Sequence, residues 1–247
     1  MGREMMNQES QEQAYDCAEL LEDFESLLVI AKSVGSKYFD NETLGSLMDQ
    51  SRIEYEKMIP SLPYVGGKKS QFTNLMIQSG QTIAFYRACK MFDLENRLFG
   101  ELLYVIGEAQ VQSVSGIKKW LARHMLFTRF YKNRWRRAME ESLNRDFPMN
   151  WVGEFVEGKN EYGFDFAECG FLKLARENHC EEIAPYVCLS DFARMRGIGV
   201  GFRRTQTLAM GHPRCDFRFS KSFETSRGWP PEELDEVKNS PLHDVRL

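Results

Sequence analysis

The chain has 247 residues, enough for one large domain or two small ones. Its 43% hydrophobic and 28% charged residues are the balance of a globular protein, which excludes a disordered or fibrous one. A net charge of -4 offers no global attraction for nucleic acid or an anionic membrane.

The first stretch carries Met1 and Arg3 followed by acids (Glu4, Glu9, Glu12, Asp16, Glu19), the opposite of a secretion signal. The longest apolar run, Leu27 to Ala31, cannot span a bilayer. Six cysteines, at 17, 89, 169, 180, 188 and 215, form no CxxC pair, and a chain of this size needs no disulfide staples. The expectation is a soluble cytoplasmic protein with reduced thiols, with no nucleic-acid and no membrane partner.

Leu20, Leu21, Phe24, Leu27 and Leu28 recur at helical spacing, and Asn41 to Met58 repeats the pattern with Leu44, Leu47, Met48 and Ile53. Pro60, Pro63, Gly66 and Gly67 then punctuate a loop. A further helix is expected over about 71–91, and one or two more over about 94–143, interrupted near Ser113–Gly116. From Trp151 the period changes. Trp151 to Val156 alternates up to a hairpin turn at Gly158-Lys159-Asn160, and Tyr162, Phe164 and Phe166 alternate after it. Leu172, Leu174 and Ala175 read as a short helix, and Pro185 suits the first turn of another running to about Met195. Val200, Phe202, Leu208 and Met210 share one strand parity, so this long segment reads as extended; after a turn at Gly211–Arg214, Cys215, Phe217 and Phe219 alternate again. Runs of helices followed by runs of strands predict an α+β fold, a helical half packed with an antiparallel sheet of about four strands. The expected organisation is a single domain over 1–220, helical over 1–147 and sheet-containing over 148–220. The aperiodic segment 221–247 reads as a loosely packed C-terminal extension.

The phosphate loop, the dinucleotide fingerprint, the HExxH helix and the GxSxG elbow are all absent from the sequence, and no cofactor is implied. Gly197 to Gly201 is glycine-rich but leads into a strand, which fits a sharp bend or a close backbone approach better than a phosphate cradle. Polar chemistry concentrates in four pieces: Glu168-Cys169-Gly170, Pro185-Tyr186-Val187-Cys188-Leu189-Ser190-Asp191, Arg204-Thr205-Gln206-Thr207-Leu208-Ala209 and Cys215-Asp216-Phe217-Arg218. Together these motifs resemble the L-2-amino-thiazoline-4-carboxylic acid hydrolase family. The likeness covers roughly 60–220, with Pro63 to Asn74 and Ala84-Phe85-Tyr86-Arg87 similar to the family's helical half. The resemblance implies opening of an aminothiazoline ring by water to a carbamoyl-cysteine, a step of cysteine metabolism.

Cys188 and Asp191 lie three apart on one face of a helix. Cys188 also follows closely on Pro185, where the helix dipole favours a thiolate. A thiolate attacking the amidine-like carbon, with a carboxylate moving protons, is a workable scheme. Cys215 is the rival nucleophile and Glu168 the rival base. Arg204 or Arg218 offers a bidentate hold on the substrate carboxylate, and Cys169 and Thr207 are further substrate-contacting candidates. Strand parity places Cys215 with Phe217 and Phe219, and Asp216 and Arg218 on the opposite face. This fits a buried structural cysteine as well as a ligand cavity.

Cys169, Cys188 and Cys215 with Asp191 or His212 are residue types zinc accepts, but their wide separations lack paired-ligand spacing, and no metal is expected. His212 reads as a solvated turn residue, while His124, His179 and His243 show no partner pattern. Lys118, Lys119, Arg123, Arg129, Lys132, Arg134, Arg136 and Arg137 occur without one intervening acid, interleaved with aromatics. A basic interaction helix would bind RNA or anionic lipid salt-sensitively. The plainer reading makes Ile117, Trp120, Leu121, Phe127, Tyr131 and Trp135 one buried stripe, with the cations a solvated face. The acids Asp16, Glu19, Glu22, Asp23 and Glu25 would then neutralise them within the fold or across a dimer. The expected partner is a small-molecule substrate, with homo-oligomerisation open. The second functional reading is a non-catalytic small-ligand-binding or sensor module, since Gly211 to Phe217 faintly resembles the ligand-binding domains related to 4-vinyl reductases.

Overall fold

A computed structural model describes residues 15–242; the acids at 4, 9 and 12 and His243 lie outside the described residues. Six helices come first: α1 (Cys17–Gly35), α2 (Asn41–Met58), α3 (Thr73–Met91), α4 (Asn96–Gln112), α5 (Gly116–Leu126) and α6 (Arg129–Ser142). Strands β1 (Val152–Glu157) and β2 (Glu161–Glu168) follow, then α7 (Gly170–Glu177), α8 (Ala184–Ile198), β3 (Gly201–Arg203), β4 (Cys215–Ser220) and a last short helix α9 (Asp235–Lys238).

Local chemistry sets the helix starts. Asp16 accepts the Glu19 N–H and Asp40 accepts those of Glu42 and Thr43, each satisfying donors that the first turn leaves open. Thr128 does the same for Tyr131, so the segment expected as one or two helices over 94–143 forms three, with the expected break near Ser115 and a further one at Thr128. α3 is wrapped by the others: Met76, Ile83, Ala84, Phe85, Ala88 and Cys89 are all buried. α4 and α8 pack through small residues. Gly100 faces Tyr186, which lies 2.2 Å from where a Cβ would stand, and Gly107 faces Ala193.

The sheet is antiparallel in the order β1-β2-β4-β3. Tyr162 pairs with Phe219, Phe164 with Phe217, Phe166 with Cys215, and Phe202 with Phe219, so one face is an aromatic layer. Trp135 of α6 on Phe164, and Phe127 from the α5–α6 turn on Tyr162, cover part of it. The α+β expectation holds.

Three expectations fail. The long extended segment after Ile198 is only three residues of strand. The chain then turns, because Asp216 accepts the N–H groups of Thr205 and Gln206 (2.8 and 2.7 Å) and the Thr205 hydroxyl (2.6 Å). Those bonds replace a ladder and leave a 3-10 turn at Leu208–Met210. The tail is packed, with Leu234, Glu236 and Ser240 buried and the Ser240 hydroxyl donating to the Met210 carbonyl. The basic stretch divides: Phe127, Tyr131 and Trp135 pack on the core, whereas Ile117, Trp120 and Leu121 are exposed. Nor do the α1 acids meet that stretch in ion pairs; Glu19 pairs with Lys68 and Glu25 with Arg52.

Candidate functional site

The seam between α8, the 204–208 turn and the start of β4 gathers most of the polar motifs. Arg204 leaves β3 inward and its side chain is completely buried (0% exposed). A buried guanidinium needs all of its donors satisfied. Nε donates to Glu236 Oε2 (2.5 Å), Nη2 to Glu236 Oε1 (2.8 Å) and to the Cys188 carbonyl (2.9 Å), and Nη1 to Asp191 Oδ2 (2.9 Å). The rings of Phe192, Phe202 and Phe217 lie within 5.0–5.6 Å of its Cζ. Burial works against this charge, but Glu236 above all, then Cys188 and Asp191, hold the guanidinium firmly protonated.

Beside this pair three cysteines converge. The Thr207 hydroxyl sits between two sulfurs, 3.5 Å from Cys188 Sγ and 3.4 Å from Cys215 Sγ. The Leu208 N–H donates to Cys215 Sγ (3.2 Å). Cys169, at the start of α7, is close enough for its charge to be felt by Cys188, and that of Cys215 by it. Burial pushes the Cys169 thiol up to about 12, with Cys215 adding to the shift. It drives Cys188 well up despite nearby Arg204. Cys215 is also raised by burial, while Arg204, Thr207 and the Leu208 N–H pull the other way. The expected thiolate at Cys188 is therefore corrected: desolvation outweighs the helix dipole at the fifth residue of α8, and the free thiol is neutral. Cys215 is buried, while Cys169 and Cys188 are half-buried.

The structure brings together Cys169, Cys188, Asp191, Arg204, Thr207 and Cys215. It leaves out Glu168 and Arg218. Glu168 is paired to Lys173 (2.6 Å) and Arg145 (2.7 Å), and the Lys173 hydrogen bond, with Arg145, holds its carboxyl below the usual range, opposite to what a general base at neutral pH requires. Arg218 is committed to Asp165 across the strands (2.6 Å), on the sheet face opposite Cys215. Four of the five Arg204 N–H donors are taken and the side chain is completely buried, so it offers no bidentate hold on a substrate carboxylate. His212 is buried, its Nε2 3.0 Å from the Glu236 carbonyl oxygen, so it is no solvated turn residue. Glu236 is the residue sequence reasoning missed: it is one acid among five between 232 and 244, in a segment without periodicity. Among the described residues, no group of three or more His, Cys, Asp and Glu side chains is arranged to hold a metal.

A second feature adjoins the same helix. Val187, Ser190 and Arg194 of α8, with Phe24, Leu28, Gln78, Phe85 and Ile106 from α1, α3 and α4, line a cavity of about 430 Å³. Arg194 Nη1 donates to Gln78 Oε1 (2.9 Å), while its Nε is buried without a partner.

A helical half closed by a small antiparallel sheet, with thiols clustered at the seam around a buried guanidinium, defines an α+β domain whose polar chemistry lies in its second half. The chain belongs to the L-2-amino-thiazoline-4-carboxylic acid hydrolase family, whose model matches residues 76–219, more than half of the sequence. No curated protein and no solved structure matches significantly. No helix among the described residues is long and apolar enough to cross a membrane.

Proposed function

We propose that the chain is a hydrolase opening a small cyclic amidine-type carboxylic acid of the 2-amino-thiazoline-4-carboxylate kind, with Cys215 as nucleophile. The observation that carries this reading is the setting of Cys215 Sγ, which accepts from the Leu208 N–H and lies 3.4 Å from the Thr207 hydroxyl, with charged Arg204 nearby. Among the three clustered thiols, this sulfur has the best-prepared surroundings for negative charge. The thiol is neutral in the free protein, and a cationic amidine brought against it would favour the thiolate. The sulfur then adds to the ring carbon and the ring carbon–sulfur bond breaks, with a proton passing to the departing sulfur. One water next adds to that carbon, one of its protons passing to an amidine nitrogen to leave the carbamoyl group, and the enzyme sulfur leaves as the thiol with the other. Asp191, paired to Arg204 yet partly open to solvent, is the carboxylate placed to pass protons between this site and water.

The test is turnover of 2-amino-thiazoline-4-carboxylate, together with cysteine-by-cysteine alkylation read by mass spectrometry. Turnover that disappears in Cys215→Ser, with substrate protecting Cys215 from alkylation, is the expected result. Undiminished turnover in Cys215→Ser would overturn the assignment of the nucleophile. A second reading, a non-catalytic ligand-binding module, is favoured by the α8 cavity, where the unpartnered Arg194 Nε offers a donor to a small carboxylate. It predicts binding without turnover, weakened by Arg194→Leu and untouched by Cys215→Ser.

A further inference from the structure

α5 is oriented against the usual rule. A surface helix normally turns its apolar stripe inward. Here no residue of α5 is buried, and the residues half-covered by the rest of the chain are Lys119, Ala122, Arg123 and Leu126. The apolar side chains face outward: Ile117 is 81% exposed, Trp120 60%, Leu121 59% and Met125 51%, and Phe130 at the start of α6 is 74% exposed. At 100° per residue, Ile117, Trp120, Leu121 and Met125 fall within one arc of the helix. Isolated exposed hydrophobic residues are ordinary, but a contiguous set on one helix marks an interaction surface.

Charge names the occupant. From Ala109 to Met139 there is no acid and there are eight Lys and Arg residues, in a chain whose net charge is -4. Lys132 and Arg136 pair with Glu157. Lys118, Lys119, Arg123, Arg129, Arg134 and Arg137 carry no ion pair among the described residues. An apolar face flanked by unpaired cations is complementary to an anionic, partly apolar surface. A second copy meeting this face with its own would set cations against cations. RNA would gain little from Ile117, Leu121 and Met125, which offer no flat ring for bases to stack on.

We propose that α5 and the start of α6 form a docking surface for anionic phospholipid membranes. Ile117, Trp120, Leu121 and Met125 enter the headgroup–acyl boundary while the cations meet phosphates. This is peripheral attachment without a spanning helix, and it is independent of the chemistry at α8.

The experiment is flotation of the full chain with phosphatidylglycerol–phosphatidylcholine vesicles, compared with phosphatidylcholine vesicles. Binding to the anionic vesicles is expected, falling by about tenfold or more when salt is raised severalfold. Trp120→Glu combined with Leu121→Glu should abolish it with an unchanged circular dichroism spectrum, since neither side chain is in the core. Arg129→Glu combined with Arg134→Glu should reduce binding while leaving the apolar face intact. Absence of vesicle binding, or binding indifferent to the Trp120/Leu121 variant, overturns the proposal. So does a concentration-dependent dimer abolished by that variant without vesicle binding, which would give the face to a second copy.

Discussion

Replacing Glu236 by leucine isolates the largest electrostatic commitment in the fold. The side chains of Arg204 and Glu236 are 0% and 1% exposed, and two of the four Arg204 hydrogen bonds end on this carboxylate. Without it the guanidinium keeps Asp191 and the Cys188 carbonyl but loses its close, fully buried counter-charge. Removing one partner of a buried pair costs about 3–5 kcal/mol, because an uncompensated charge is left behind. In a domain of this size each kcal/mol moves the melting temperature by about 2–4 °C, so Glu236→Leu should melt roughly 6–20 °C lower. Replacing both partners, Arg204→Met with Glu236→Leu, removes the stranded charge and should recover most of that loss, with Asp191 left to solvent. The assay is a double-mutant cycle by urea and thermal denaturation. If Glu236→Leu costs less than about 1 kcal/mol, or the double variant loses the sum of the singles, the pair does not hold the seam as described.

Three other outcomes are expected. Gly163→Ala would place a Cβ 1.7 Å from the Phe217 carbonyl oxygen, in the middle of the β2–β4 pairing. Backbone cannot yield there cheaply, so the variant should lose several kcal/mol, more than about 3, in urea denaturation; a near-neutral result would refute that close approach. Asp216→Ala removes the acceptor of three hydrogen bonds that fold the 205–206 turn. It should cost about 2–3 kcal/mol and speed alkylation of Cys215 as the Leu208 N–H shifts; unchanged alkylation would detach the turn from the thiol. Stability should also fall in alkali. Burial raises the Cys89 thiol to about 12 and Cys180 to about 11, above the ordinary value of about 8.5 for an unfolded thiol. A raised folded value gives stability that is whole below the unfolded value and is lost as pH climbs through the folded one. The loss approaches about 1.4 kcal/mol per pH unit for each such thiol between about pH 9 and 11. Equal urea midpoints at pH 8 and 10 would contradict this.

What could be read in advance followed from repetition. α1 and α2 announce themselves by Leu and Phe at helical spacing behind Asp16 and Asp40, and β2 by Tyr162, Phe164 and Phe166. The site was legible where motifs packed many polar residues into a few positions: Cys188 with Asp191, Arg204 with Thr207, Cys215. It failed where one distant contact decides. Strand parity over 198–210 could not reveal that the Asp216 carboxylate would draw Thr205 and Gln206 out of a ladder. Helical spacing grouped Ile117, Trp120 and Leu121 with Phe127, Tyr131 and Trp135, but the break at Thr128 separates the two helices and leaves only the second group against the sheet. Glu236 is ordinary by type and neighbourhood, and only its burial against Arg204 sets it apart. Glu168 and Arg218 were plausible by type, and each is consumed by an ion pair formed across secondary-structure elements.

The Arg204–Glu236 bond also has a consequence in time. The two residues are 32 positions apart, and the carboxylate comes from a segment beyond residue 219, where the family match ends. During synthesis at about 5–20 residues per second, the strands and α8 emerge seconds before the charge that lets their seam close. A nascent chain with residues to about 225 clear of the ribosome would therefore hold all four strands beside a guanidinium lacking its carboxylate. The final commitment of this fold belongs to residues made after those the family model matches, and truncation at that boundary would leave the Arg204 charge without its carboxylate.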